Sequence, residues 1–186
     1  TMIDAAKGLR RARAATLLLL ALPGSAYLYQ GEELGLQEVA EIPDAARQDP
    51  PFFRNRDVET GRDGCRVPLP WTRTGPSFGF GEGGSHLPQP LWFGHYSVEA
   101  EWDDAASALS LYRQAIALRR QLRTGESLEW IDTGRDDVLS FRRPGGWLVV
   151  SNFGTAPYPL SSGVALLSSG PAATDLPGET TIWLKS

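Results

Sequence analysis

The stretch Leu22-Pro-Gly-Ser-Ala-Tyr-Leu-Tyr-Gln-Gly-Glu-Glu-Leu-Gly35 decides how the first half of the chain is interpreted. Apolar residues from Met2 to Leu22 recur at helical spacing, and Pro23 and Gly24 are expected to end that helix because proline cannot continue the hydrogen-bond ladder. Ala26 to Tyr29 are then predicted to form a short buried strand. A helix, a tight turn and a strand make one repeat of an α/β architecture, in which binding groups gather at the carboxyl ends of the strands.

An arginine-rich segment at residues 10–13, followed by the apolar run Ala14 to Leu22, imitates a secretory signal peptide. Against that interpretation, apolar positions at helical spacing begin before the arginines, so we favour a helix that leads into the buried strand. The apolar run is also too short for a transmembrane helix. The sequence therefore predicts no membrane partner.

Composition argues against several classes of function. The chain has 186 residues, 41% of them hydrophobic and 22% charged, which is typical of a globular protein. Its net charge of -4 and the absence of a basic cluster argue against nucleic acid as a partner. Cys65 has no second cysteine to pair with, and His86 and His95 have no partners at metal-ligand spacing, so we predict neither a metal nor a cofactor. The single cysteine is compatible with a cytoplasmic location, which we predict.

The middle of the chain is predicted to be a long ordered loop followed by a helix. Residues 36–100 are rich in Gly, Pro, Asp and Arg, but they contain too many aromatic residues for a solvated linker. Asp103 or Asp104 is then expected to cap a helix that reaches Leu122, because apolar residues recur at spacings of three and four.

Residues 125–186 are predicted to form a small antiparallel β-domain, most simply a sandwich, and residues 1–124 are predicted to be part of the α/β domain that precedes it. Short alternating or apolar segments, separated by turn residues, indicate its strands. The predicted strands are Ser127 to Ile131, Val138 to Arg142, Trp147 to Asn152, Val164 to Ser168, and Thr180 to Leu184.

Two further stretches accompany residues 22–35: Gly61-Arg-Asp-Gly-Cys-Arg-Val-Pro-Leu-Pro-Trp71 and Leu111-Tyr-Arg-Gln-Ala-Ile-Ala-Leu-Arg-Arg120. The three together resemble the α-glucosidase and oligo-1,6-glucosidase branch of the α-amylase superfamily, glycoside hydrolase family 13. The first is similar to the eighth strand of the family's barrel, although its Pro and first Gly are displaced. The second is similar to an Arg-Asp-x-x-Arg-x-Pro-x-x-Trp segment, and the third to the last barrel helix.

The resemblance implies an α/β plus all-β fold: the last helix–strand–helix part of a (β/α)8 TIM barrel, followed by a small antiparallel β-sandwich. Enzymes of this family retain stereochemistry by using a carboxylate nucleophile and a carboxylic acid about 5 to 5.5 Å apart. The family places both, and a third stabilising Asp, upstream of the part that this chain resembles. The resemblance therefore implies no catalytic residue here, an incomplete and inactive chain on its own, and the N-terminal barrel part as its partner.

Arg62 is the candidate substrate-binding residue, because the resemblance places the first Arg of the Arg-Asp-x-x-Arg segment at the subsite for the non-reducing glucose. A guanidinium offers several fixed donors and is always charged, which suits two sugar oxygens. The alternative is that Arg62 and Asp63 pair only to brace the loop. Glu32 and Glu33 are expected to be structural rather than a catalytic acid/base pair. Adjacent side chains point in different directions, so they cannot face each other across the glycosidic bond that is cleaved.

The implied activity is hydrolysis of terminal α-linked glucose from a small α-glucoside or oligosaccharide. Linkage specificity, hydrolysis as opposed to transfer or isomerisation, and oligomeric state stay open. One alternative is a transglucosylase or sugar isomerase of the same family, and another is a non-catalytic barrel relative that acts as an interaction subunit. A third hypothesis makes the β-domain a carbohydrate-binding module, with Trp130, Trp147 and Trp183 as its platform.

Overall fold

The computed structural model describes residues 4–56, 58–122 and 125–185. Contacts divide the chain into two compact units, one containing the residues up to Leu28 and from Leu111 onward, and the other running from Tyr29 to Ser110. Met2, where the first helix was predicted to begin, lies outside the described residues, and the boundary predicted between residues 124 and 125 stays a prediction. None of the helices described combines the length and apolarity needed to cross a membrane.

Helices occupy both units. Among the described residues, the α-helices are α1 (Ala5–Ala21), α2 (Pro50–Arg54), α3 (Val98–Glu101) and α4 (Ala108–Leu122). Short 3₁₀ helices lie at Glu32–Leu34, Asp44–Ala46, Asp63–Cys65, Pro76–Gly79 and Leu91–Tyr96. The strands are β1 (Glu129–Trp130), β2 (Val138–Arg143), β3 (Trp147–Asn152), β4 (Tyr158–Pro159), β5 (Val164–Ser168), β6 (Asp175–Leu176) and β7 (Thr180–Lys185).

Side chains satisfy the free backbone groups at both ends of helix α1. At its start, the Asp4 carboxylate accepts a hydrogen bond from the Lys7 N–H at 2.8 Å. At its end, the Arg119 guanidinium donates to the Leu20 carbonyl oxygen within the helix, and to the carbonyl oxygens of Leu22 at 2.8 Å and Gly24 at 2.6 Å just beyond it. The last carbonyls of a helix have no partner within it, so the bond to Leu20 satisfies one of them, and the other two hold the turn that follows α1.

The arginine-rich part of α1 has structural partners in the same unit. Arg11 donates from Nε and Nη2 to the two carboxylate oxygens of the buried Glu179, each at 2.6 Å. The Nε of Arg13 donates to the Ser169 carbonyl oxygen at 3.1 Å. A bidentate guanidinium–carboxylate pair has a defined geometry as well as charge attraction, so it orients the helix on the turn before β7.

The β-domain is antiparallel, as predicted. Among the described residues, the strands of its main sheet follow the order β1-β2-β3-β7-β5, and β4 pairs with β6 in a second small sheet. Successive residues of β3 and β7 alternate between the two faces of the main sheet. One face packs against α1 and α4, and the other packs against the small sheet.

Trp183 is the centre of the face that packs on α1. It is fully buried, and its ring centroid lies 5.1 Å from that of Trp147, which is 4% exposed. Its indole Nε1 donates to the Leu17 carbonyl oxygen of α1 at 3.1 Å. The same side chain therefore supplies apolar contact to the helix and a hydrogen bond that fixes their alignment.

The unit from Tyr29 to Ser110 has its own apolar cluster. Its buried members come from widely separated parts of the long loop: Val39, Ile42, Val67, Leu87 and Phe93. The loop is therefore ordered around a core, as its aromatic content predicted, although short helices take the place of long elements.

Two sequence predictions fail at element level. Ala26 to Tyr29 form no strand, and Tyr27 is 87% exposed, because a strand needs a neighbour and these residues pair with no other described segment. Helix α4 begins at Ala108 rather than after Asp103 or Asp104. The Ser107 hydroxyl accepts from the Ser110 N–H at 3.0 Å, which makes Ser107 the cap.

Replacing Trp183 by alanine removes a buried ring and the hydrogen bond to α1. We expect the free energy of unfolding to fall by about 3–5 kcal/mol. Trp130→Ala is the matched control because Trp130 is 60% exposed, and it should cost less than about 1 kcal/mol. Urea unfolding followed by circular dichroism measures both, and equal losses would show that Trp183 is not central to the packing.

Candidate functional site

Two buried carboxylates close the loop that contains Arg62. Asp49 and Asp63 are each 2% exposed. Asp63 Oδ2 accepts from the backbone N–H groups of Gln48 at 2.9 Å and Asp49 at 3.0 Å, and Asp49 Oδ2 accepts from the Arg62 N–H at 2.7 Å. Each carboxylate therefore accepts hydrogen bonds from backbone N–H groups at or beside the other Asp. We call this arrangement of Asp49 and Asp63 the carboxylate clasp.

The side chains of Arg62 and Arg66 also contact the Asp49 carboxylate. Arg66 Nη1 donates to Asp49 Oδ1 at 3.1 Å, and Arg62 Nε lies 3.7 Å from Asp49 Oδ2, which is ion-pair rather than hydrogen-bond distance. Burial raises the pKa of the Asp49 carboxyl, but the Arg62 N–H, the Arg66 hydrogen bond and both positive charges together hold that pKa below its ordinary value. Asp49 is therefore an anion with defined partners.

Gly61 permits the close approach of the two halves of the clasp. Its φ is +70°, in the left-handed region that side chains disfavour. A Cβ built on Gly61 would lie 3.0 Å from both Cβ and Oδ2 of Asp49. The glycine is required both for the turn and for the space beside the carboxylate.

Arg47 closes the same loop on its other side. Its Nη1 donates to the Thr60 carbonyl oxygen at 2.7 Å, and its guanidinium lies 4.8 Å from the ring centroid of Phe52, a buried residue of α2. The hydrogen bond joins residue 47 to residue 60, and the cation–aromatic contact holds the guanidinium against α2. This is the geometry of a compact surface loop whose ends are held together.

The structure places Arg62 at this junction with its side chain 68% exposed. Its backbone is held by Asp49, and its Nε faces the same carboxylate. In the part of the chain that the structure describes, the terminal Nη atoms have no hydrogen-bond partner. The alternative of a pair between Arg62 and Asp63 is wrong, because the partner is Asp49 and Asp63 accepts backbone N–H groups instead.

The other residues that the sequence offered as candidates for a functional site make contacts that stabilise the fold. Glu33 Oε2 accepts from the Gly31 N–H at 2.8 Å within a 3₁₀ turn. Trp147 and Trp183 lie in the core of the β-domain, so they cannot form the exposed platform that a carbohydrate-binding module requires. Across residues 4–56, 58–122 and 125–185, no group of three His, Cys, Asp or Glu is arranged to hold a metal ion.

Asp49 is the site residue that the sequence analysis missed. It lies thirteen positions before Arg62 in an irregular segment, where no periodicity connects the two. The only sequence signal is the Asp49-Pro50-Pro51 run, since an Asp before proline commonly begins a turn or a helix.

The sequence of this chain is similar to those of known proteins. The sequence profile of the family described as alpha-amylase, catalytic domain, matches residues 2–125. The chain belongs to the alpha-amylase family. It is 37% identical over 132 residues to a probable alpha-glucosidase of Rhizobium meliloti, a match that covers 69% of this chain and 23% of the relative. The chain spans about a quarter of the length of the first curated relatives that it matches.

Solved structures match nearly the whole chain. An alpha-glucosyl transfer enzyme, XgtA, is 33% identical with a TM-score of 0.75, over 94% of this chain and 35% of that one. The trehalulose synthase MutB is 25% identical with a TM-score of 0.75, over 95% and 38%. The predicted fold class, the last part of a TIM barrel followed by a β-sandwich, is confirmed for this member of the alpha-amylase family.

Acidification should remove the contribution of Asp49 to stability. Because its pKa is lowered in the folded protein, that contribution is present above the ordinary Asp value of about 3.9 and is lost as pH falls through the folded pKa. We expect the urea midpoint of the parent to fall more steeply than that of Asp49→Asn below about pH 4. Asp44→Asn, which removes a carboxylate that is 71% exposed, should keep the parent slope; identical slopes in all three proteins would rule the effect out.

Gly61→Ala should destabilise the loop more than an equivalent substitution in open space. Gly84 also has a positive φ, +85°, but nothing lies within 4 Å of a Cβ built on it. Both alanines incur backbone strain of about 1–2 kcal/mol, and only the one at Gly61 also meets Asp49. Unfolding free energies of the two variants measure the difference, and a Gly61→Ala variant as stable as Gly84→Ala would contradict the close approach.

Proposed function

We propose that this chain is the C-terminal part of a retaining α-glucosidase that hydrolyses terminal α-linked glucose from small oligosaccharides. Family membership and the similarity to a probable alpha-glucosidase support the class of reaction. The single observation that supports a role for this chain is the exposed terminal fork of Arg62, whose Nε lies 3.7 Å from the buried carboxylate of Asp49. The proposal keeps the cytoplasmic location, with which the single cysteine is compatible.

In this proposal, Arg62 binds the non-reducing glucose. The two terminal Nη groups lie in one plane and are permanently protonated, so they can donate to two neighbouring hydroxyl oxygens of one sugar ring. The Nε side faces Asp49, which leaves the fork as the part of the guanidinium that meets substrate. In this position Arg62 closes the pocket behind one glucose ring. The enzyme would then release glucose one unit at a time from the end of a chain.

The proposal assigns the bond-breaking chemistry to other segments of the enzyme. Retention requires one carboxylate to attack the anomeric carbon while a second carboxylic acid protonates the leaving oxygen. The second group, now a carboxylate, then takes a proton from a water molecule whose oxygen displaces the first carboxylate from the anomeric carbon. The resemblance locates these groups, and the stabilising Asp, ahead of the barrel part formed here. Arg62 then orients glucose against them, and the 186 residues alone release no glucose.

Transfer of glucose is the second candidate for the same site. It is favoured by the 33% identity to an alpha-glucosyl transfer enzyme over 94% of this chain, while MutB is a trehalulose synthase. Hydrolysis and transfer share the glucosyl intermediate and differ in whether water or a sugar hydroxyl attacks it. Arg62 has the same task in both reactions, so product analysis decides between them.

Arg62→Ala tests the assignment in the full-length enzyme, with glucose release from p-nitrophenyl α-glucoside as the measurement. We expect kcat/KM to fall about 100-fold, because two charge-assisted hydrogen bonds are lost. Arg62→Lys should also lose most of the activity, since an ammonium keeps the charge but not the fork. Arg54→Ala is the control: it removes the same type of side chain from α2, in the same loop, and should keep the parent activity.

Three outcomes would overturn parts of the proposal. Full activity of Arg62→Ala would remove Arg62 from the site. Glucose release by the 186-residue chain alone would place catalytic carboxylates within it. A folded full-length protein that neither hydrolyses nor transfers glucose would instead make it a non-catalytic barrel relative.

A further inference from the structure

We propose that Asp49 is a positioning residue for substrate binding, with its buried carboxylate holding Arg62 so that the terminal fork of the guanidinium faces the glucose. This inference rests on the proposed function of Arg62. No motif and no match assigns a role to Asp49. The inference follows from the contacts of one carboxylate with both the backbone and the side chain of Arg62.

Asp49 holds Arg62 at two points. Its Oδ2 accepts from the Arg62 N–H at 2.7 Å, which fixes where the side chain leaves the backbone. The same oxygen lies 3.7 Å from Arg62 Nε, so charge attraction draws the inner edge of the guanidinium toward the carboxylate. Because the guanidinium is planar and rigid, fixing its Nε edge also fixes the direction of both Nη atoms.

The carboxylate itself cannot move to follow substrate. It is 2% exposed, its Oδ1 accepts from Arg66 Nη1 at 3.1 Å, and its own backbone N–H donates to Asp63. A long exposed side chain such as Arg62 would otherwise lose considerable rotamer entropy when it binds a sugar. An anchored Nε edge has already reduced that loss before substrate arrives, which is the physical meaning of preorganisation.

The two arginines that contact Asp49 use different oxygens of its carboxylate, so Asp49 does more than neutralise their charges. Arg66 occupies Oδ1, while both contacts with Arg62 use Oδ2. The two oxygens therefore have different tasks: one is bound to a cation that braces the loop, and the other is directed to the residue that meets substrate. Asp63, the second carboxylate of the clasp, accepts only backbone N–H groups in the described residues and supplies the matched comparison.

A double-mutant cycle in the full-length enzyme tests the proposal, using Asp49→Asn, Arg62→Ala and the combination. Asparagine keeps an oxygen for the Arg62 N–H but removes the charge that faces Nε. We expect Asp49→Asn to raise KM about tenfold while kcat changes less than about threefold, since glucose is held in both ground and transition states. In the Arg62→Ala background, the same substitution should change KM less than about twofold.

Asp63→Asn serves as the comparison for effects that reach the site only through the fold. It removes a buried charge from the same clasp, and this carboxylate bonds to the backbone N–H groups of Gln48 and Asp49 rather than to either arginine side chain, so its effect on KM should be equal in the two backgrounds. If Asp49→Asn also raises KM by the same factor with and without Arg62, its role is structural and the proposal is wrong.

A second readout separates this inference from the proposed activity. In the full-length protein labelled with ¹⁵N-arginine, the Nε–H signal of Arg62 is identified by its loss in Arg62→Ala. We expect this group to be ordered in the parent and to become mobile in Asp49→Asn, with an order parameter below about 0.6. If the parent enzyme releases no glucose, the proposed function fails, but this measurement still tests whether Asp49 positions Arg62. An unchanged order parameter of the Arg62 Nε–H group in Asp49→Asn would refute the role of Asp49.

Discussion

The carboxylate of Asp49 is the contact on which the geometry of the candidate site depends. A buried negative charge is tolerated only when it is paired and hydrogen-bonded, and here one backbone N–H and two guanidinium groups fulfil that condition. Because these partners come from residues 62 to 66, satisfying the charge also closes a long irregular loop. The glycine at position 61 and the second carboxylate at position 63 make that closure sterically and electrostatically possible. Binding geometry and loop structure are thus determined by the same set of contacts.

The unit that contains the β-domain depends on a different kind of contact. Helix α1 presents an apolar stripe to the main sheet, and Trp183 adds an indole hydrogen bond to a backbone carbonyl within that helix. At the end of the helix, Arg119 donates to the carbonyl oxygens of Leu20, Leu22 and Gly24. Apolar burial supplies most of the free energy, while the polar contacts select one alignment of helix and sheet.

Local periodicity made much of this fold predictable. Strands β2, β3, β5 and β7 have patterns that repeat within a few residues, so the sequence indicated them almost to their ends. For helix α4 the same kind of pattern indicated its end but not its start. Strands β4 and β6 are two residues long and leave no pattern to detect. The predicted strand at residues 26–29 failed because a strand is stabilised by neighbours that its own sequence does not contain. Arg62 was found through a motif, but Asp49 was not, because a contact between distant positions of an irregular loop has no sequence period.

The most direct test of this account is a crystal structure of the full-length protein with a glucose-configured inhibitor in its active site. The account predicts that both Nη atoms of Arg62 lie within hydrogen-bond distance of two neighbouring hydroxyl groups of the bound ring, while Nε still faces Asp49. An inhibitor bound among catalytic carboxylates with Arg62 turned away from the sugar would contradict the central claim. The clasp would then be a structural brace of the loop, without a part in substrate binding.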